Sequence, residues 1–150
     1  MKYRVLLSTA FFAAFPAHGQ TFANPANVAP PIGSYSHVAT VPAGSDLLVV
    51  AGQIGNARDG VIAEGVEAQY ERALLNIVAT LESQGAGTRN LVKLTTYLVD
   101  PIDPVRAKAI RERVLGGALP SSTLVYVVRL ARPEVKVEID AMAIRPKARR

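Results

Sequence analysis

A chain of 150 residues, 49% hydrophobic and 19% charged, has the length and apolar content of one folded domain and leaves little room for two. It contains no cysteine, which excludes disulfides, thiolate zinc sites, cysteine nucleophiles and lipid attachment through cysteine. The net charge of +5 sits at the ends: setting aside Lys2, Arg4, Arg145, Lys147, Arg149 and Arg150, six of the 17 basic residues, leaves 11 against 12 acidic ones, and this near-neutral body without a basic, aromatic-interleaved stripe points to no nucleic-acid partner.

In chain order, residues 1–19 have the three parts of a secretory signal. Lys2 and Arg4 give a positive start, Val5 to Phe15 an apolar run, and Ala17-His18-Gly19 a small-residue cleavage site before Gln20. The run is too short for a permanent span, so no stable membrane anchor is expected, and the mature protein is expected in the periplasm or secreted. Residues 20–30 have the Pro/Asn/Ala composition of a linker, residues 31–144 form the domain, and residues 145–150 read as a solvated basic tail.

Within the domain, Tyr35 to Val41 suits a first strand. Asp46 opens a second, Leu47 to Ile54, apolar at consecutive positions as in a strand covered on both faces. Asp59-Gly60 marks a turn. Gly65 to Ser83 is a helix: Val66, Tyr70, Ala73, Leu74, Ile77, Val78 and Leu81 recur at 3.6-residue spacing, with Gly85 and Gly87 beyond its end. Leu91 to Val99 is β-rich. Asp103-Pro104 starts a second helix that runs to Leu115 and stops at Gly116-Gly117. Ser121 to Leu130 and Val135 to Ile144 are two more strands around an Ala131–Glu134 turn. The order β-β-α-β-α-β-β mixes hairpins with crossovers and predicts an α+β fold, a mixed sheet backed by two helices.

No phosphate-binding loop or Gly-x-Ser-x-Gly elbow is present. His37, the lone histidine of the domain, reads as a structural hydrogen-bonding residue, so neither a metal nor a cofactor is expected. What remains is a set of segments in fixed order: Pro31-Ile32-Gly33-Ser34-Tyr35-Ser36, Val50-Ala51-Gly52-Gln53-Ile54, Leu91 to Thr95, Leu119-Pro120-Ser121-Ser122-Thr123, Val128-Arg129-Leu130 and Val137-Glu138-Ile139-Asp140-Ala141. Together they resemble the Rid (YjgF-like) family. The resemblance implies a chorismate-mutase-like α+β subunit that joins two copies of itself into a homotrimer with a central barrel. It also implies small-molecule clefts between subunits, and hydrolysis of reactive imines and enamines to a keto acid and ammonia.

On that resemblance the cleft takes Tyr35, Gly52, Ser122 and Thr123 as ligand-binding residues and Glu138 as the catalytic group. The family's Pro-x-Arg-Ser segment falls on Pro120-Ser121-Ser122-Thr123, so Ser122 stands where family members carry an arginine that pairs with the substrate carboxylate. A guanidinium offers two parallel charge-assisted donors; a serine hydroxyl offers one neutral bond. Arg129, seven residues on, is placed by strand alternation on the opposite face, and Lys108 reads as a solvated helix lysine. Of the alternating charges Lys136, Glu138 and Asp140, Glu138 is assigned to the cleft and its neighbours to solvent or pairing. Three functions compete: imine or enamine hydrolysis of a substrate not anchored by arginine, non-catalytic capture of a small periplasmic metabolite, and, ranked below both, a protein-interaction or holdase role through exposed apolar surface.

Overall fold

The computed structural model describes residues 19–146; the expected secretory signal (residues 1–19), all but its last residue, and the last four residues of the tail lie outside the described residues. The elements are β1 (Thr21–Ala23), β2 (Val38–Thr40), β3 (Ser45–Ile54), α1 (Val66–Ser83), β4 (Leu91–Leu98), α2 (Pro104–Leu115), β5 (Ser121–Tyr126) and β6 (Val137–Pro146). The main sheet has strand order β3-β6-β4-β5. β6 runs antiparallel to both β3 and β4, while β4 and β5, joined through α2, are parallel. The sheet is therefore mixed, as the alternation of hairpins and crossovers implies, and the fold is α+β.

Both helices lie where their patterns put them. The apolar stripe of α1 buries Ala73, Leu74, Ile77 and Leu81 completely against Leu94 and Leu98 of β4 and Val137, Ile139, Ala141 and Ala143 of β6. Each such side chain removed from water contributes ~1.5–3 kcal/mol for the larger residues. At the start of α2, the Asp103 carboxylate accepts a hydrogen bond from the Arg106 N–H at 2.9 Å, with Pro104 supplying a fixed φ in the first turn. At its end Gly116 takes φ 60°, a left-handed conformation that costs a glycine nothing.

Three differences from the sequence reading matter for the site. Thr21–Ala23, in the stretch with linker composition, forms β1 and pairs antiparallel with β2 as a separate two-stranded ribbon. Composition reports local preference, whereas this strand is made by a partner some 17 residues away, Phe22 opposite Ala39. Asn24 then accepts from the His37 N–H at 2.9 Å, and the Gln20 amide donates to the Leu91 carbonyl at 3.0 Å. Second, β5 ends at Tyr126, so Arg129 lies beyond the strand and alternation does not fix its side. Third, β3 is covered on one face only: Val50 is buried, while Leu47 and Val49 on the outer face are 56% and 70% exposed. Met142, opposite Val49 on β6, is exposed on the same outer face. Among the described residues no helix is long and apolar enough to cross a membrane.

Candidate functional site

The β3–β6 ladder carries an irregularity between Val50 and Gln53. Val50 faces Ala141 and Gln53 faces Ile139, so β3 spends one residue more than β6 over this stretch. Such a bulge bends the strand and re-aims its backbone. Gly52 sits in it, and the Glu138 side chain of β6 lies over it: a Cβ built on Gly52 would fall 1.9 Å from Glu138 Oε1 and 2.9 Å from its Cγ. Only a residue without a side chain leaves room for that carboxylate. Among the described residues no hydrogen-bond donor or cation pairs with the Glu138 carboxylate, and the residue is half-buried, so its carboxylate oxygens are available for a ligand or a water.

Across β6 from Ile54, Glu138 faces Tyr97 on β4. The Tyr97 hydroxyl donates to Asp140 Oδ2 at 3.1 Å. That bond, then the charge of Asp140, partial burial and the charge of Glu138 together raise the Tyr97 pKa above the usual tyrosine value. The neighbours of Glu138 thus have partners of their own: Asp140 takes the Tyr97 hydroxyl, and the Lys136 ammonium lies 3.4 Å from Asp100.

The other predicted residues gather at the β5 edge. Ser36 forms a bridge beside Ser121, with its N–H 3.5 Å from the Pro120 carbonyl, which lays the opening motif against the start of β5. The Tyr35 ring lies 5.8 Å from that of His37. Thr123 is exposed and accepts from the Lys93 ammonium. Ser122 pairs with the fully buried Leu94, which turns it toward the helix side of the sheet. Lys108 pairs with Glu112 at 3.8 Å on the solvent side of α2.

One chain therefore brings Gly52 and Glu138 into contact and sets Tyr35, Ser122 and Thr123 apart from them. Thr123 shares the outer face with Glu138 but is two strands across and two residues along, about 12 Å at ordinary strand spacings. Ser122 is on the opposite face.

Two residues of this region were missed by the sequence reading. Tyr97 looks like an ordinary strand tyrosine, and only the register reveals its place between two carboxylates. Arg111 carries a legible signal: Ala107, Arg111 and Leu115 recur at four-residue spacing on the inner stripe of α2, and a charge there is unusual. Its guanidinium is buried, and Nε donates to the Ser34 carbonyl at 3.0 Å. Arg111 Nη2, His37 Nδ1 and Ser121 Oγ are the buried side-chain polar atoms without a hydrogen-bond partner among the described residues, and all three border the Ser34–His37 segment. No group of three His, Asp or Glu among the described residues is arranged to hold a metal ion.

Residues 26–145 match the family model described as Endoribonuclease L-PSP. A RutC family protein of Pyrococcus abyssi is 35% identical over 115 residues, covering 75% of this chain and 87% of that protein. The 2-iminobutanoate/2-iminopropanoate deaminase of Salmonella typhimurium is 33% identical over 103 residues, 66% of this chain and 80% of the enzyme. Among solved structures, a Rid-family protein of unknown function from Yersinia pestis aligns with a TM-score of 0.73 at 28% identity, over 84% of this chain and 98% of its own. TdcF of Escherichia coli with bound serine aligns with a TM-score of 0.61 at 28% identity, over 77% and 91%.

Proposed function

The chain belongs to the Endoribonuclease L-PSP family, the Rid or YjgF-like proteins, and from that premise we propose that it hydrolyses small imines or enamines in a cleft completed by further copies of itself. The observation that carries this reading is the Glu138 carboxylate lying unpaired over the Gly52 bulge. A half-buried carboxylate with no protein donor is suited to take a proton from an attacking water. The water oxygen bonds to the imine carbon while one of its protons passes by way of Glu138 to the nitrogen, giving a carbinolamine; the remaining hydroxyl proton then passes to the nitrogen as the carbon–nitrogen bond breaks, releasing ammonia and a carbonyl compound. Between the two activities that the relatives' names carry, the neutral body of the chain favours imine hydrolysis over work on RNA.

The split geometry supports assembly. Tyr35, Ser122 and Thr123 do not reach Glu138 within one chain, so a ligand that touches both groups sits between copies. The outer sheet face, with Leu47, Val49 and Met142 uncovered, supplies the apolar surface for a homotrimer. The sequence of β3, apolar on both faces, supports the same assembly.

Ser122 sets the substrate preference. Without an arginine on β5, an amino-acid-derived imine loses a charged contact of ~1.5–3 kcal/mol, roughly ten- to a hundredfold in affinity. The reading is therefore of a substrate whose acid group, where it has one, is not held from β5. The test is release of ammonia and the carbonyl product, a keto acid from 2-iminopropanoate and a ketone or aldehyde from a neutral imine, each generated in situ, with Glu138→Ala as control. Turnover that needs Glu138 supports the enzyme; saturable ligand binding with no turnover of either imine would replace it by the second reading, a non-catalytic metabolite-binding protein. The N-terminal signal pattern further supports a periplasmic or secreted protein, for which mass spectrometry of host material should find an N-terminus near Gln20.

A further inference from the structure

Among the described residues Arg111 is a buried cation with no ion-pair partner. It is 8% exposed, and no carboxylate among the described residues forms an ion pair with it. A guanidinium does not escape the cost of burial by losing its proton, as a lysine or histidine does. Burying such a charge unpaired is expensive, and a protein retains one where an anion comes to meet it.

One edge of the Arg111 guanidinium is half used. Nε and Nη2 form one edge of the guanidinium, the edge that a carboxylate grips with two parallel hydrogen bonds. In this structure the Ser34 carbonyl oxygen occupies the Nε prong at 3.0 Å, and the Nη2 prong has no partner. A carbonyl brings one oxygen and no full charge; a carboxylate brings two oxygens and the charge. The cover that holds the carbonyl there is lightly tethered. Ser36 meets β5 through a single bridge and a long 3.5 Å bond to Pro120, and Ile32, further along the same segment, is 98% exposed. Arg111 also comes from α2, the layer toward which Ser122 turns.

We propose that Arg111 is the carboxylate anchor of this protein: the acid group of a small keto or imino acid displaces the Ser34 carbonyl from Nε, takes Nη2 at the same time, and shifts the Pro31–Ser36 segment outward. The charge that β5 lacks at Ser122 is supplied from the helix behind it. This deepens the reading above by naming the group that receives the acid end of the substrate, and it rests on that reading only for the class of ligand. Because the carbonyl must first be displaced, the anchor is weaker than a fork already open to solvent.

Thermal unfolding of the full chain, at constant ionic strength, tests it with pyruvate as the acid probe and pyruvamide as its neutral counterpart. Near-saturating pyruvate is expected to raise the wild-type Tm by a few degrees, roughly 5 °C, and pyruvamide to leave it unchanged. Arg111→Met is expected to unfold at or above the wild-type temperature, because a buried unpaired charge has gone, and to ignore pyruvate. Arg111→Lys keeps the charge without the fork, and its pyruvate affinity should fall by about tenfold or more. A pyruvate shift in Arg111→Met equal to the wild type would overturn the proposal. So would a wild type indifferent to pyruvate, or a failure of both variants to fold, which would make Arg111 a brace. Imine turnover measured on the same samples separates the two claims. Turnover without any Arg111-dependent pyruvate effect retains the deaminase reading and rejects the anchor; an Arg111-dependent pyruvate effect without turnover does the reverse.

Discussion

Ser122 and Glu138 lie on opposite faces of the same sheet. Ser122 pairs with Leu94, whose side chain is wholly buried beneath the helices, while Glu138 pairs with Tyr97 on the outer face beside Asp140. No rotamer change brings the two side chains to one small ligand within a single chain, because strand alternation fixes their directions. A cleft that uses both has to be built from two copies.

Gly52 and Gly55 are both crowded glycines, but Gly52 meets the end of a side chain and Gly55 meets helix backbone. Gly52→Ala places a Cβ against the end of the Glu138 side chain, which is free to swing away, so stability should change by less than about 1 kcal/mol while the carboxylate leaves its position. Imine hydrolysis is then expected to drop on the order of a hundredfold, as for a misplacement near 1 Å. Gly55→Ala is the counterpart. Its Cβ would fall 2.4 Å from the Gln69 Cα, part of the α1 backbone, and nothing there moves cheaply. It should destabilise by about 1–3 kcal/mol. Denaturant melts and kcat for the two variants should therefore move in opposite columns; equal stability losses would show that Gly52 is only a packing residue.

Assembly is open to a direct measurement. Light scattering at micromolar concentration should return three times the chain mass for the wild type. Val49→Lys, which puts a charge on the uncovered outer face without touching the core, should give a folded monomer with no imine turnover. A monomeric wild type that still turns over imines would remove the need for a shared cleft.

Alkaline titration should single out Tyr97. Its pKa is raised above the usual tyrosine value, chiefly by the bond to Asp140, so the folded chain holds this proton more tightly than the unfolded chain does. The resulting stabilisation is whole below the ordinary tyrosine pKa of about 10 and is lost as pH rises through the folded value. Phenolate absorbance of the wild type should contain a late component that Tyr97→Phe removes, and Asp140→Asn should move that component to lower pH. A late phase that persists in Tyr97→Phe belongs to another tyrosine.

Ser122 is the position at which chemistry should be recoverable. Wild-type turnover of 2-iminopropanoate is expected to be low, because the carboxylate has no open fork to meet. Ser122→Arg should raise kcat/KM by about ten- to a hundredfold, the value of one charge-assisted contact. Adding Glu138→Ala should abolish the gain. An unchanged Ser122→Arg would mean that this position does not line the cleft.

The two helices, their caps, the strands of the main sheet and the α+β class were legible in the residues. They depend on local periodicity and turn chemistry: the α1 stripe, Asp103-Pro104 at the start of α2, Gly116 at its end. The segments from Pro31 to Ala141 that carry the family likeness were legible for the same reason, as they are short and contiguous. Three things were decided only by tertiary structure. β1 exists because Phe22 meets Ala39, a pairing that linker-like composition does not announce. Glu138 meets Gly52 because one extra residue in β3 shifts the register against β6, and a bulge has no signature in periodicity. Arg111 reaches Ser34, 77 residues away in the chain, because α2 packs beneath the opening segment. Local patterns fix the elements, since they depend on neighbours a few residues apart; the site depends on register and on which face each side chain takes, and those are settled only when distant strands pair.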